Sequence, residues 1–133
     1  MPVPADLNTR PRTLQFYSLL VITTYFGVAR GGLGLSITVS DLLLHFIGYT
    51  VLMLSGMLAN GNHPRRLFAG LLVYSIVIET IQYFLPYRTF SLTDILANLA
   101  GLGAGSFIWW LGNRYYHRKL AASNSVTNGG EQG

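Results

Sequence analysis

The apolar residues of this chain neither alternate with polar ones nor scatter. They are gathered into four blocks set apart by short segments of glycine, proline and arginine. Residues 13–29 form a run of seventeen without a charge, residues 42–59 a second block, residues 67–85 a third and residues 92–111 a fourth. About 20 apolar residues in a helix cross the hydrocarbon core of a bilayer, so each block has spanning length, the first near the lower limit. The connections carry turn chemistry: Gly31, Gly32 and Gly34 in the first, Gly61 and Pro64 in the second, Pro86 opening the third. The pattern predicts an all-α polytopic membrane protein of four transmembrane helices. Residues 1–12, with Pro2, Pro4 and Pro11, read as a cytoplasmic leader, residues 13–113 as the transmembrane domain and residues 114–133 as a tail. That tail begins basic (Arg114, His117, Arg118, Lys119) and then becomes too polar to pack a core, a composition of disorder. A basic start followed by an apolar run also opens a signal peptide, but no small-x-small cleavage site follows, so the first helix is expected to stay.

Composition agrees with the blocks. Half of the 133 residues are hydrophobic and 11% are charged, against about a quarter charged in soluble domains. Without cysteine there is neither a disulfide nor thiolate chemistry. The net charge of +4 matters through its distribution. Arg10, Arg12, Arg65, Arg66, Arg114, Arg118 and Lys119 fall on one side of the four-span topology, and only Arg30 and Arg88 on the other. Basic residues are retained on the cytoplasmic side, which places both termini there. Trp109, Trp110, Tyr115 and Tyr116 stand where an inner interfacial belt is expected. No basic patch interleaved with aromatics is present, which excludes a nucleic-acid partner.

Polar residues inside the blocks then become the anomaly, because an ionisable group in a span costs a few kcal/mol and marks function or a specific partner. Asp41, His45 and Tyr49 are four apart and stack on one face of the second helix. Glu79, Gln82 and Tyr83 lie near the outer end of the third helix, and Asp94, Asn98, Gly101 and Gly105 follow one face of the fourth. At about 1.5 Å rise per residue, Tyr49, Glu79 and Asn98 sit roughly 9 to 11 Å below the outer ends, with His45, Gln82 and Asp94 shallower. Arg88, in the outer loop, is placed to fold over them. The matched depths point to one outward-facing polar cleft.

Each member also has a plainer reading. Glu79 pairs with Arg88 or His45; Asp94, after Ser91-Leu92-Thr93, caps a helix or favours its positive end; Tyr49 packs and hydrogen-bonds. A single histidine is more often a satisfied polar group than a ligand, and with no second one beside it a zinc site is not assigned. A hard cation between Glu79 and Asp94 stays open. Gly101 and Gly105, with Ala97, Ala100 and Ala104 nearby, have the spacing of close helix packing. As a catalytic set, Glu79, His45 and Asp94 suit general acid/base work, while Arg88, Gln82, Tyr49, Asn98 and Asp41 suit binding of a polar or anionic group. No phosphate loop or nucleophile elbow is present, and no cofactor is assigned.

The ordered set Asp41, His45, Tyr49, Glu79-x-x-Gln82, Pro86, Arg88, Asp94, Asn98, Gly101 and Gly105 resembles the VanZ-like family of small bacterial membrane proteins. Family members usually carry a lysine directly after the aspartate; here that position is Leu42, which leaves Arg88 as the charged donor of the cleft. The resemblance implies a protein of the bacterial cytoplasmic membrane with a cell-envelope role, in a family named for resistance to the glycopeptide teicoplanin. The expected partners are the bilayer and an envelope lipid or glycolipid headgroup bound in the cleft. An intramembrane enzyme acting on such a lipid is the alternative, and an oligomeric transporter subunit is a third reading.

Overall fold

A computed structural model describes residues 9–28, 41–60, 63–86 and 91–129. Four helices account for nearly all of them: α1 (Thr9–Val28), α2 (Asp41–Asn60), α3 (Pro64–Tyr83) and α4 (Leu92–Gly129), with no strand among the described residues. Three of the four are long and apolar enough to cross a membrane, over Leu42–Ala59, Pro64–Tyr83 and Leu92–Ala122. The first block does form a helix, but it starts at Thr9 and so takes in Arg10 and Arg12, and it also carries Gln15, Ser18, Thr23 and Thr24. That polar load keeps α1 out of the apolar set.

Helix ends follow local chemistry. Pro64 occupies the first turn of α3, where its fixed φ suits a helix and its missing N–H costs nothing. The helix therefore begins three residues before the apolar block and holds Arg65 and Arg66 in its first turn. It closes in a tight turn, with Phe84 N donating to Ile81 O at 3.1 Å and Leu85 N to Gln82 O at 3.0 Å, just ahead of Pro86. α4 is different: it runs 38 residues, through most of the segment that composition reads as a disordered tail. No proline follows Pro86, and Arg118, Lys119, Leu120, Ala121 and Ala122 all favour helix. From Leu111 to Ala122 every side chain is exposed, so this extension is held by backbone bonds and local pairs such as the Arg114 guanidinium 5.1 Å from the Trp110 ring centre.

α2 and α4 make the most extensive contact, and glycine permits it. A Cβ at Gly101 would collide with the Phe46 carbonyl, and one at Gly105 would lie 2.8 Å from Met53 Cβ and 2.9 Å from the Thr50 carbonyl. The close approach lets Thr50 Oγ1 donate to Gly101 O at 3.1 Å. Around this seam Tyr49, Leu52, Met53, Met57, Leu71 and Leu102 form the core. α1 covers one side of it with Phe16, Leu19 and Leu20, and its hydroxyls are satisfied locally: Thr23 donates to Leu19 O, Thr24 to Leu20 O, and Tyr74 of α3 bonds both Thr24 and Leu20 O. Only 22% to 33% of each apolar span is buried inside the bundle. Leu43, Ile47, Val73, Val77, Leu96 and Phe107 all face outward, an apolar exterior suited to hydrocarbon rather than water.

Candidate functional site

The start of α2, the end of α3 and the start of α4 meet at one end of the bundle. Each contributes polar side chains at helical spacing: His45 from α2, Ser75, Glu79 and Gln82 from α3, Asp94 and Asn98 from α4. The inner layer is a linear hydrogen-bonded chain. Asn98 Nδ2 donates to Ser75 Oγ at 2.8 Å, which turns its carbonyl oxygen toward His45, and His45 Nδ1 lies 3.0 Å from that Oδ1. An amide oxygen only accepts, so Nδ1 carries a ring proton, and in the neutral ring Nε2 is then the acceptor. His45 Nε2 faces Asp94 Oδ2 across 3.9 Å, too far for a hydrogen bond.

Glu79 is engaged from the other side. Ser91 caps α4, its Oγ accepting from Asp94 N at 3.2 Å, with Thr93 Oγ1 2.8 Å away. In a capping box the acidic residue at the Asp94 position would bond back to the Ser91 N–H. Here that N–H donates to Glu79 Oε2 at 3.4 Å. The Glu79 carboxyl group takes over that half of the box, which places it at the positive end of α4, and the Asp94 side chain faces His45 instead. One atom from each of His45, Glu79 and Asp94 lies within 4.8 Å of the others.

The cluster is closed rather than an open cleft. Glu79, Gln82 and Asn98 are each 1% exposed, whereas the His45 and Asp94 side chains keep 13% and form its edge. Burial follows from the glycine seam, which draws α2 and α4 together directly beneath. Tyr49 lies at the same level, 3% exposed, its ring 6.3 Å from that of Tyr74 and its hydroxyl interacting with Ser75. Arg88 and the Asp41 side chain lie outside the described residues. Tyr83, on the Glu79 face by spacing, is 65% exposed and points away from the cluster.

Two members escaped the sequence reading, Ser75 and Ser91 as the partner of Glu79. The first was legible, since Ser75, Glu79 and Gln82 recur at four and three residues and share a face. The second was not, because the Ser91 bond crosses between helices. A separate groove of about 320 Å³ between α2 and α4, lined by Leu54, Leu58, Ile108, Trp109, Gly112 and Asn113, is apolar and lies toward the opposite end. It has no titratable group and plays no part in the cluster.

Comparison with known proteins gives a family and a relative. A protein of the fission yeast Schizosaccharomyces pombe, itself uncharacterized, is 31% identical over 109 residues, 78% of this chain and 63% of the relative. The chain thus spans a little under two thirds of the curated protein it matches. No solved structure matches it. Because the relative is a yeast protein, the bacterial setting implied by the resemblance is not carried by relatedness alone. The model of the VanZ/LLP1 family matches residues 10–113, from the first turn of α1 into α4 and across the whole polar cluster; the chain belongs to the VanZ/LLP1 family.

Proposed function

We propose that this chain is a four-span membrane protein whose polar cluster, within the outer leaflet, engages the headgroup of an envelope lipid or glycolipid and so alters surface chemistry, including the binding of glycopeptides. The observation that carries this reading is the gathering of His45, Glu79, Asp94 and Asn98 from three helices at one end of an otherwise apolar bundle, with His45 and Asp94 at its edge. A group entering there meets an imidazole and a carboxyl group while its tails stay against apolar helix faces. α1 supports the fourth span: its 20 residues cover about 30 Å, and its threonine hydroxyls are bonded to its own carbonyls, which lowers the cost of burial in lipid. Seven basic residues on one side of that topology against two on the other support cytoplasmic termini and a cluster on the outer side.

A second reading, an enzyme acting on the same headgroup, is favoured by the 4.8 Å grouping of His45, Glu79 and Asp94, which puts proton donors and acceptors within reach of one bond. Native mass spectrometry of the gently extracted protein tests the first reading. A retained headgroup-specific lipid, lost in Asp94→Asn, is the expected result; only bulk phospholipid in both proteins would overturn it. Conversion of the retained lipid on incubation with the unaltered protein, and not with Glu79→Gln, would establish the second.

A further inference from the structure

We propose that His45, Glu79 and Asp94 form a binding site for a first-row divalent metal ion, with Asn98 and Ser75 as its positioning residues. Neither the family match nor the relative assigns a metal. The inference stands on donor geometry and does not depend on the headgroup reading.

The chain Ser75–Asn98–His45 fixes the imidazole as ligating histidines are fixed, with the distal ring N–H held by an oxygen and the other nitrogen presenting a lone pair. That lone pair meets a carboxyl oxygen of Asp94 at 3.9 Å. With the ring neutral these are two acceptors facing each other beyond hydrogen-bond range, and a cation between them satisfies both. Ligands on zinc stand about 2.0 to 2.2 Å from the metal, which sets donors roughly 3.0 to 3.5 Å apart. Donors spread over up to 4.8 Å would close by roughly 1.3 to 1.8 Å on binding, through rotation of the side chains.

Glu79 supplies the third donor. Its carboxyl group is anchored by the Ser91 N–H, so α4 and α3 hold it beside the other two without a flexible linker. The donors come from three helices, and the glycine seam brings α2 and α4 close enough for two of them to face each other. One nitrogen and two oxygens select a borderline ion such as Zn²⁺ over Ca²⁺ or Mg²⁺, which prefer all-oxygen sets. Three protein ligands leave a fourth position, which opens toward the exposed edge at His45 and Asp94. An occupied site also changes the charge at this end: two carboxyl groups and a neutral imidazole become neutral overall with one divalent ion.

The experiment uses the full chain in detergent, stripped with a chelator and titrated with Zn²⁺ alone, and with Co²⁺ for its visible spectrum. His63 and His117 are exposed elsewhere and are replaced by glutamine in the background protein, so that surface binding does not count. One Zn²⁺ per chain is expected, with four- or five-coordinate Co²⁺ bands. His45→Gln and Asp94→Asn should each weaken binding at least about 100-fold, and Asn98→Ala about 10- to 100-fold, the usual effect of removing a ligand's hydrogen-bond partner. Ser106→Ala, whose hydroxyl bonds only its own helix at Leu102 O, should leave affinity unchanged. Thermal unfolding of every variant separates lost binding from lost fold, and Glu79→Gln, of nearly the same shape, serves where a larger change does not fold. Failure to bind stoichiometric Zn²⁺, binding that survives His45→Gln combined with Asp94→Asn, or displacement by a tenfold excess of Mg²⁺ would each overturn the proposal.

Discussion

Replacing Glu79 by glutamine removes one charge and keeps nearly all of the volume, so it separates chemistry from packing at an acid that is 1% exposed. A cap needs only an acceptor, and the amide oxygen can still receive the Ser91 N–H. Glu79→Gln should therefore leave membrane abundance and melting temperature close to those of the unaltered protein while abolishing complementation of a deletion strain. Full complementation would reduce Glu79 to a helix cap, and missing protein on an immunoblot of the membrane fraction would make its role structural. Asn98 is the opposite case. It is 1% exposed and bonds both His45 and Ser75, so Asn98→Leu removes two hydrogen bonds at once, at about 0.5 to 1.5 kcal/mol each. A melting temperature in detergent lowered by several degrees is the expected outcome, with Ser75→Ala giving a smaller drop.

At the scale of the element, α4 depends on two features near its start. Ser91 caps it through the Asp94 N–H, and Ser91→Ala should destabilise the protein by about 1 kcal/mol. The loss should be measurable as faster hydrogen exchange over the first turn of α4. Further along the helix, Gly101 and Gly105 admit α2. Any side chain at Gly101 meets the Phe46 carbonyl, which is backbone and cannot rotate aside, and it also breaks the Thr50 bond to Gly101 O. Gly101→Leu should cost about 3 kcal/mol or more, at the upper end of overpacking, and appear as a marked loss of thermal stability. Gly103, on the far side of the same helix, has open space within 4 Å of where a Cβ would stand, so Gly103→Ala should be near neutral and is the matched control.

For the whole molecule, the absence of cysteine makes topology directly measurable. Single cysteines at Ser36→Cys and Asn62→Cys should label from outside and from inside the cell respectively. Reversed labelling would place the cluster at the cytoplasmic face and end the envelope-headgroup reading, while leaving the metal site standing. Aromatic and basic groups are gathered along α4 from Trp109 to Lys119. Trp110, Tyr115 and Tyr116 are exposed, and Arg114 lies over Trp110, an interfacial arrangement at the end opposite the polar cluster.

The all-helical class, the helix positions to within a few residues except at the end of α4, and the periodicity that sets His45, Glu79, Gln82, Asp94 and Asn98 on their helix faces were determined by sequence, because each rests on composition or on a 3.6-residue period local to one segment. The family resemblance rested on the same residues. The tail was misread for a related reason: low hydrophobicity shows that a segment cannot build a core, but a helix of charged residues and alanine needs no core to form. Tertiary structure alone decided which polar groups meet. Period and depth put His45, Glu79, Asp94 and Asn98 at one end of the bundle, yet the order of bonds depends on how α4 is rotated against α2, and that rotation is set by backbone contact at Gly101 and Gly105. Packing also buried what spacing suggested was an outward-facing cleft, left Asp94 facing His45, and gave the Ser91 N–H to Glu79 from a neighbouring helix. Such exchanges are invisible in one dimension, since Glu79 and the Ser91 N–H that it caps lie twelve residues apart in sequence and meet only once the helices pack.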